Sequence, residues 1–131
     1  MIVLDTNLLV RLLANDDEKQ AFRVAALLED RSAFIPLSVL LETEWVLRSV
    51  YGLSPSIVTA AFRNLLGLAA VSAEAPGRIT QALRWYEHGF DFADALHLAT
   101  AVEAGADALA TFDGEFRQLA ARHSALQVIE P

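Results

Sequence analysis

No cysteine occurs among the 131 residues, which excludes disulfides and thiolate metal sites. No apolar run approaches the roughly 18 residues of a membrane span. The apolar start, Ile2 to Leu4, is too short and lacks the basic flank of a signal sequence, so a cytoplasmic chain with no membrane attachment is expected. There is no glycine-rich phosphate loop, internal repeat, low-complexity segment or flexible linker. Lysine is nearly missing as well: Lys19 is the only one among ten bases, the rest being Arg, and 17 acids leave a net charge of −7. A partner bound through a broadly basic surface is therefore disfavoured. Nucleic acid remains compatible, because metal ions in an acidic cluster supply local positive charge while Arg grips phosphates bidentately.

What is present suits one domain over residues 1–131, long enough to bury about two-thirds of the unfolded surface. The apolar fraction of 54% is above the usual range and hints that another chain covers some apolar surface. Ile2-Val3-Leu4 reads as a fully buried strand of a parallel sheet, ending in Asp5-Thr6-Asn7. In open parallel sheets the ligand crevice lies beyond the carboxyl ends of the strands, where Asp5 falls. Asp5 or Thr6 also suits the cap of the next helix, whose Leu8, Leu9, Leu12 and Leu13 recur at helical spacing.

Asn15-Asp16-Asp17 then turns into a helix carrying Ala21, Val24, Ala25, Leu27 and Leu28. Ala33 to Ile35 forms a second strand, and Pro36 and Ser38 introduce a helix from about Val39 to Tyr51, stopped by Gly52. Ser54-Pro55 opens another helix through Leu66. Leu68 to Val71 forms a third strand, Pro76 to Glu87 a helix, and Asp91 opens a helix running to Ala104. Ala108 to Thr111 is a fourth strand, Phe112-Asp113-Gly114 turns into a last helix to about Arg122, and Leu126 to Ile129 is a fifth strand. Strands alternating with helices in this way imply an α/β fold with a mostly parallel sheet covered on both faces.

Two helices carry carboxylates on apolar faces. Glu42 and Glu44 lie about 200° apart around their axis, so both cannot face the core. Val39, Val46 and Val50 surround Glu42, whereas Glu44 has Arg48 four residues on as a solvent-side partner, which favours Glu42 as the inward acid. Leu40, Leu47 and Tyr51 flank Glu44, so the separation is incomplete. Asp94 shares its face with Leu98, Ala101 and Val102, while Glu103 lies almost opposite and is free to be solvated. Asp91 suits the cap of that helix and also the edge of a metal site. Asp113 follows a strand, again at its crevice end or as a helix cap.

Asp5, Glu42, Asp94 and Asp113 thus share an expected location that independent capping does not predict. At an effective dielectric of about 20, each pair of carboxylates near 5 Å repels by roughly 3 kcal/mol. Arg could offset this, but oxygen ligands without clustered His or Cys are what Mg²⁺ or Mn²⁺ prefers, and one or two such ions are expected. They would orient a water, lower its pKa and stabilise charge on a phosphodiester. His88, His97 and His123 read as surface or edge residues.

Asp5-Thr6-Asn7, Glu42-Thr43-Glu44-Trp45-Val46-Leu47, Asp91-Phe92-Ala93-Asp94-Ala95-Leu96-His97 and Thr111-Phe112-Asp113, in that order and spacing, resemble the PIN-domain family. Within it they resemble the small VapC-type ribonuclease toxins of bacterial and archaeal toxin–antitoxin pairs. The resemblance implies a three-layer α/β/α fold with a five-stranded, mostly parallel sheet and the first strand central. It implies a Mg²⁺- or Mn²⁺-dependent endoribonuclease whose acidic metal site is Asp5, Glu42, Asp94 and Asp113. Thr6, Asn7 and Thr111 would be polar supports and Asp91 a subsidiary acid. Homodimers, and a cognate antitoxin covering the active-site groove, are further implications. Two other readings compete. One is a phosphatase with Asp5 as nucleophile, disfavoured because Asn7 stands where such enzymes carry a second aspartate. The other is a non-catalytic module whose acidic groove takes a basic partner segment.

Overall fold

A computed structural model describes residues 1–131. Its contacts group into two units, Met1–Pro76 and Gly77–Pro131. The first contains β1 (Ile2–Val3), α1 (Thr6–Ala14), α2 (Glu18–Asp30), β2 (Ala33–Ile35), α3 (Leu37–Ser49), α4 (Pro55–Leu66) and β3 (Val71–Ala73). The second contains α6 (Phe92–Glu103), β4 (Ala108–Ala110), α7 (Gly114–His123) and β5 (Gln127–Ile129), with α5 (Pro76–Glu87) beginning at the boundary.

In the first unit all pairing is parallel, with Ile2 opposite Ala33 and Ala33 opposite Val71. The strand order is β1-β2-β3, so β2 is the centre of this sheet and β1 its edge. The second unit holds a parallel pair, β4 and β5, with Leu109 opposite Val128. The ladders therefore form a three-stranded and a two-stranded sheet rather than the expected five strands about a central first strand. Strands of two or three residues limit each ladder to a few bonds. Nor is the first strand fully buried: Leu4 is at 0% exposure but Val3 is at 61%, in keeping with an edge position.

Local chemistry sets the helix boundaries. Asp17 caps α2 by accepting from the Gln20 N–H at 3.0 Å, and Ser54 caps α4 by accepting from Ile57 N–H, with Pro55 in the first turn. α3 starts at Leu37, two residues before the expected Val39, because Pro36 takes the cap position without a side-chain bond. It ends at Ser49, two residues before the expected Tyr51, and the chain then turns at the expected Gly52, which adopts φ 65° while Leu53 N–H returns to Leu47 C=O at 3.0 Å. β3 starts at Val71, three residues later than expected. Leu68 to Ala70 make a turn, in which Leu68 N–H bonds to Leu65 C=O and Val71 N–H to Leu68 C=O. Leu68 is left half exposed.

Leu4, Leu9, Ile35, Leu40, Leu47, Val58 and Phe62 are fully buried in the first unit. At about 1.5–3 kcal/mol per large side chain, such burial is the main term holding the short strands and helices together. In the second unit Phe90 stacks on Trp85 at 5.8 Å and meets Phe116 edge-on at 6.2 Å. Tyr86 and Phe92 form another edge-on pair. Arg78 on α5 grips Glu103 on α6 through both of its carboxylate oxygens. Glu103 is thus on the solvent side, as its position opposite Asp94 predicts.

Candidate acidic site

The second unit places Asp91 and Asp113, two of the sequence-predicted acids, where their charges act on a third, Asp94. Asp91 caps α6, its Oδ2 accepting from Asp94 N–H at 3.2 Å. Asp94 follows in the first turn and is half-buried, with Leu98 on the same face fully buried. Asp113 caps α7, its Oδ1 accepting from Phe116 N–H at 3.1 Å. The Asp94 carboxyl is held above its ordinary pKa, first by burial and then by the charges of Asp91 and Asp113, while His97 opposes them. Three carboxylates thus interact at the N-terminal ends of two helices, where backbone dipoles favour negative charge.

Thr111 supports this group. Its Oγ1 accepts from Asp113 N–H at 3.1 Å, and its carbonyl accepts from Arg117 Nη1 at 3.3 Å. Arg117 also pairs with Glu130 at 3.5 Å. His97 is exposed, as expected of a surface or edge residue, but its influence on Asp94 and the contacts of Arg117 are not evident from the sequence. Their only signals are helical spacing, Arg117 four residues after Asp113 and His97 three after Asp94.

In the first unit Asp5 caps α1, its Oδ1 accepting from Thr6 N–H at 2.8 Å. Thr6 is buried and Asn7 exposed. The capping readings of Asp5, Asp91 and Asp113 therefore hold. Each cap bond engages one carboxylate oxygen and leaves the other for a ligand.

On α3 the expected assignment of the glutamates is reversed. Glu42 is exposed, whereas Glu44 is at 2% exposure on the face of Leu40, Thr43 and Leu47. The expected Arg48 partner is real, its Nε donating to Glu44 Oε1 at 2.8 Å, but it neutralises a buried carboxylate instead of a solvent-side one. The physical reason is that an ion-paired glutamate can be buried, whereas one without a partner on its own helix is better solvated. Glu42 is not the inward acid, but its exposure leaves it open to a ligand.

The donors are all hard oxygens, and the mutual repulsion felt by Asp94 is of the kind a divalent cation relieves. No three acid or histidine side chains are close enough to enclose an ion by themselves.

No curated protein matches the sequence. Among solved structures, the chain is similar to VapC20 of Mycobacterium tuberculosis, described as a sarcin-ricin loop cleaving toxin, with 25% identity, 88% of this chain and 92% of that chain covered, and a TM-score of 0.44. The PIN domain profile matches residues 2–122, from the first strand through α7. On that match, which takes in every candidate acid from Asp5 to Asp113, the chain is a member of the PIN domain family.

Proposed function

We propose that this protein is a metal-dependent endoribonuclease of the VapC toxin type, hydrolysing RNA phosphodiester bonds and neutralised in the cell by a cognate antitoxin. The observation that carries the reading is the Asp91–Asp94–Asp113 group, in which burial and like charge raise the Asp94 carboxyl within a PIN-family chain. A half-buried acid kept beside two others is costly unless a cation or substrate uses it.

In this reading Asp5, Glu42, Asp94 and Asp113 are the carboxylates that hold one or two Mg²⁺ or Mn²⁺ ions. Such ions supply Lewis acidity and a lowered pKa for water. Asp5 and Asp113 keep one oxygen on a helix N–H, which fixes the direction of the other. Asp91 does the same from the start of α6 and adds negative charge beside Asp94. Thr111 holds the Asp113 backbone in place, Thr6 holds Asp5 through its N–H, and Asn7, next in the first turn of α1, is assigned the same supporting role. The exposed Trp45, Val50 and Ile57 on and after α3 are apolar surface suited to a second copy of the chain.

The test is cleavage of RNA oligonucleotides by the parent protein and by Asp5→Asn and Asp94→Asn variants, with Mg²⁺ or Mn²⁺ and with chelator. Metal-dependent cleavage that is lost in both variants is the expected result, and equal cleavage by variants and parent refutes the reading.

A further inference from the structure

α1 and α2 enclose between them a groove of about 540 Å³. Asn7 and Arg11 reach it from α1, and Gln20 and Arg23 from α2. Its remaining wall is apolar, from Leu8, Val24 and Leu27. The positions 7, 8 and 11, and 20, 23, 24 and 27, are the facing stripes of two helices. No acid lines the groove, although the chain has 17 acids to 10 bases.

Arg11 is braced from outside the groove. Its Nη1 donates to both oxygens of Asp16, at 3.0 and 2.9 Å, and to the Tyr51 hydroxyl at 3.2 Å, and the Tyr51 hydroxyl donates to Asp16 at 2.6 Å. These contacts all run through one nitrogen, so the guanidinium is oriented while Nη2 and Nε are left to meet a ligand. Arg23 is exposed on the opposite wall. Two arginines, Arg11 with its Asp16 partner and the unpaired Arg23, line the trough together with the amide side chains of Asn7 and Gln20, donors that match an anionic, hydrogen-bonding polymer. The groove also begins at Asn7, two residues beyond Asp5.

We propose that this groove docks the phosphate backbone of the RNA substrate, with Arg11 and Arg23 as its phosphate contacts and Asn7 leading the strand toward Asp5. The proposal rests on the endoribonuclease reading for the identity of the polymer. The groove provides locally what the net charge of −7 denies globally, since electrostatic neutralisation of phosphates dominates nucleic-acid affinity.

Binding is to be measured by fluorescence anisotropy of a labelled single-stranded oligoribonucleotide on the Asp94→Asn protein, so that docking is scored without turnover. Cleavage by the parent is scored separately. Arg23→Glu in that background is expected to raise Kd at least tenfold at about 0.1 M salt and to lower the salt dependence by about one phosphate contact. Arg23→Lys should keep most of the affinity. Arg84→Glu, an equal change of net charge on exposed α5 surface, should leave Kd within about twofold. An unchanged Kd for Arg23→Glu overturns the proposal while leaving a metal-dependent nuclease intact, and an equal loss with Arg84→Glu overturns it in favour of general charge. Intact RNA binding together with lost affinity for an acidic polypeptide assigns the groove to a protein partner and overturns it too.

Discussion

Burial and the neighbouring Asp91 and Asp113 charges hold Asp94 above the ordinary carboxylate range, and the sign of the consequence is fixed by proton linkage. A folded-state pKa above the unfolded one means that the native state binds the proton more tightly. Stability therefore falls as pH rises from the unfolded value through the folded one, and at neutral pH the full penalty is present. Asp94→Asn is accordingly expected to raise the melting temperature of the metal-free protein at pH 7, by only about 1–2 °C because the group is half solvated, with the difference gone below about pH 3.5. Millimolar Mg²⁺ or Mn²⁺ should raise the parent's melting temperature more than the variant's. Thermal melts with and without metal at both pH values check this.

The two glutamates of α3 separate stability from activity at the same scale. Glu44 is buried against Arg48, so Glu44→Ala is expected to cost about 2–4 kcal/mol in denaturant unfolding. Glu42→Ala, at an exposed position, is expected to stay within about 0.5 kcal/mol of the parent while losing cleavage. On the helical face alone Glu42 is the expected interior residue, since Val39, Val46 and Val50 adjoin it. Arg48 decides otherwise: a side-chain partner four residues away allows the glutamate to be buried. Capping was easier to read, since an Asp or Ser before an apolar periodic stretch has a local mechanism, and the cap bonds of Asp5, Asp91 and Asp113 are present.

At the scale of elements, the loop between α1 and α2 is tied to the end of α3 by the Arg11–Asp16–Tyr51 network. The Tyr51 hydroxyl, opposed by partial desolvation and helped by Arg11, holds Asp16 below its ordinary pKa. A depressed folded-state pKa contributes stability above the unfolded value of about 3.8 and loses it as pH falls through the folded value. Tyr51→Phe is therefore expected to lower the melting temperature at pH 7, and the gap should close below about pH 3. Equal gaps at both pH values would indicate lost packing alone. Helices were legible because their punctuation is local: Gly52 after α3, Ser54-Pro55 before α4 and Asp113-Gly114 before α7 all act within one turn. Strands were less so. Leu68 to Val71 is apolar enough for a strand, but the backbone of Leu68 to Ala70 is spent on a turn after α4, and periodicity cannot register that. Strand order was beyond the sequence too, as three-residue ladders carry little pattern.

At the scale of the whole molecule, a strongly acidic chain is assigned an anionic substrate, and charge placement makes the two compatible. Acids cluster at the starts of α6 and α7, where a divalent ion would invert the local field, and arginines line the α1–α2 groove. Within the stretch matched from residue 2 to 122, the short acidic motifs are dispersed through nearly the entire chain. Each motif is weak singly; the order of acids after Val3, on α3, at the start of α6 and before α7 is what made the family legible. The ionic partner of Glu44, the cradle of Thr111 and the bracing of Arg11 were not legible, because each depends on side-chain conformations that no residue pattern specifies.

The central claim is that the carboxylate group around Asp94 performs metal-dependent RNA hydrolysis. Its most direct measurement is the rate of oligoribonucleotide cleavage by parent and Asp94→Asn protein in Mg²⁺ or Mn²⁺, with matched thermal melts to establish that both are folded. The account predicts that chelator abolishes parent cleavage and that the folded variant is slower by at least about 100-fold, the order of loss when a group acting mainly on the transition state is removed. A folded Asp94→Asn protein that cleaves at the parent's rate, or parent cleavage indifferent to chelator, would contradict it.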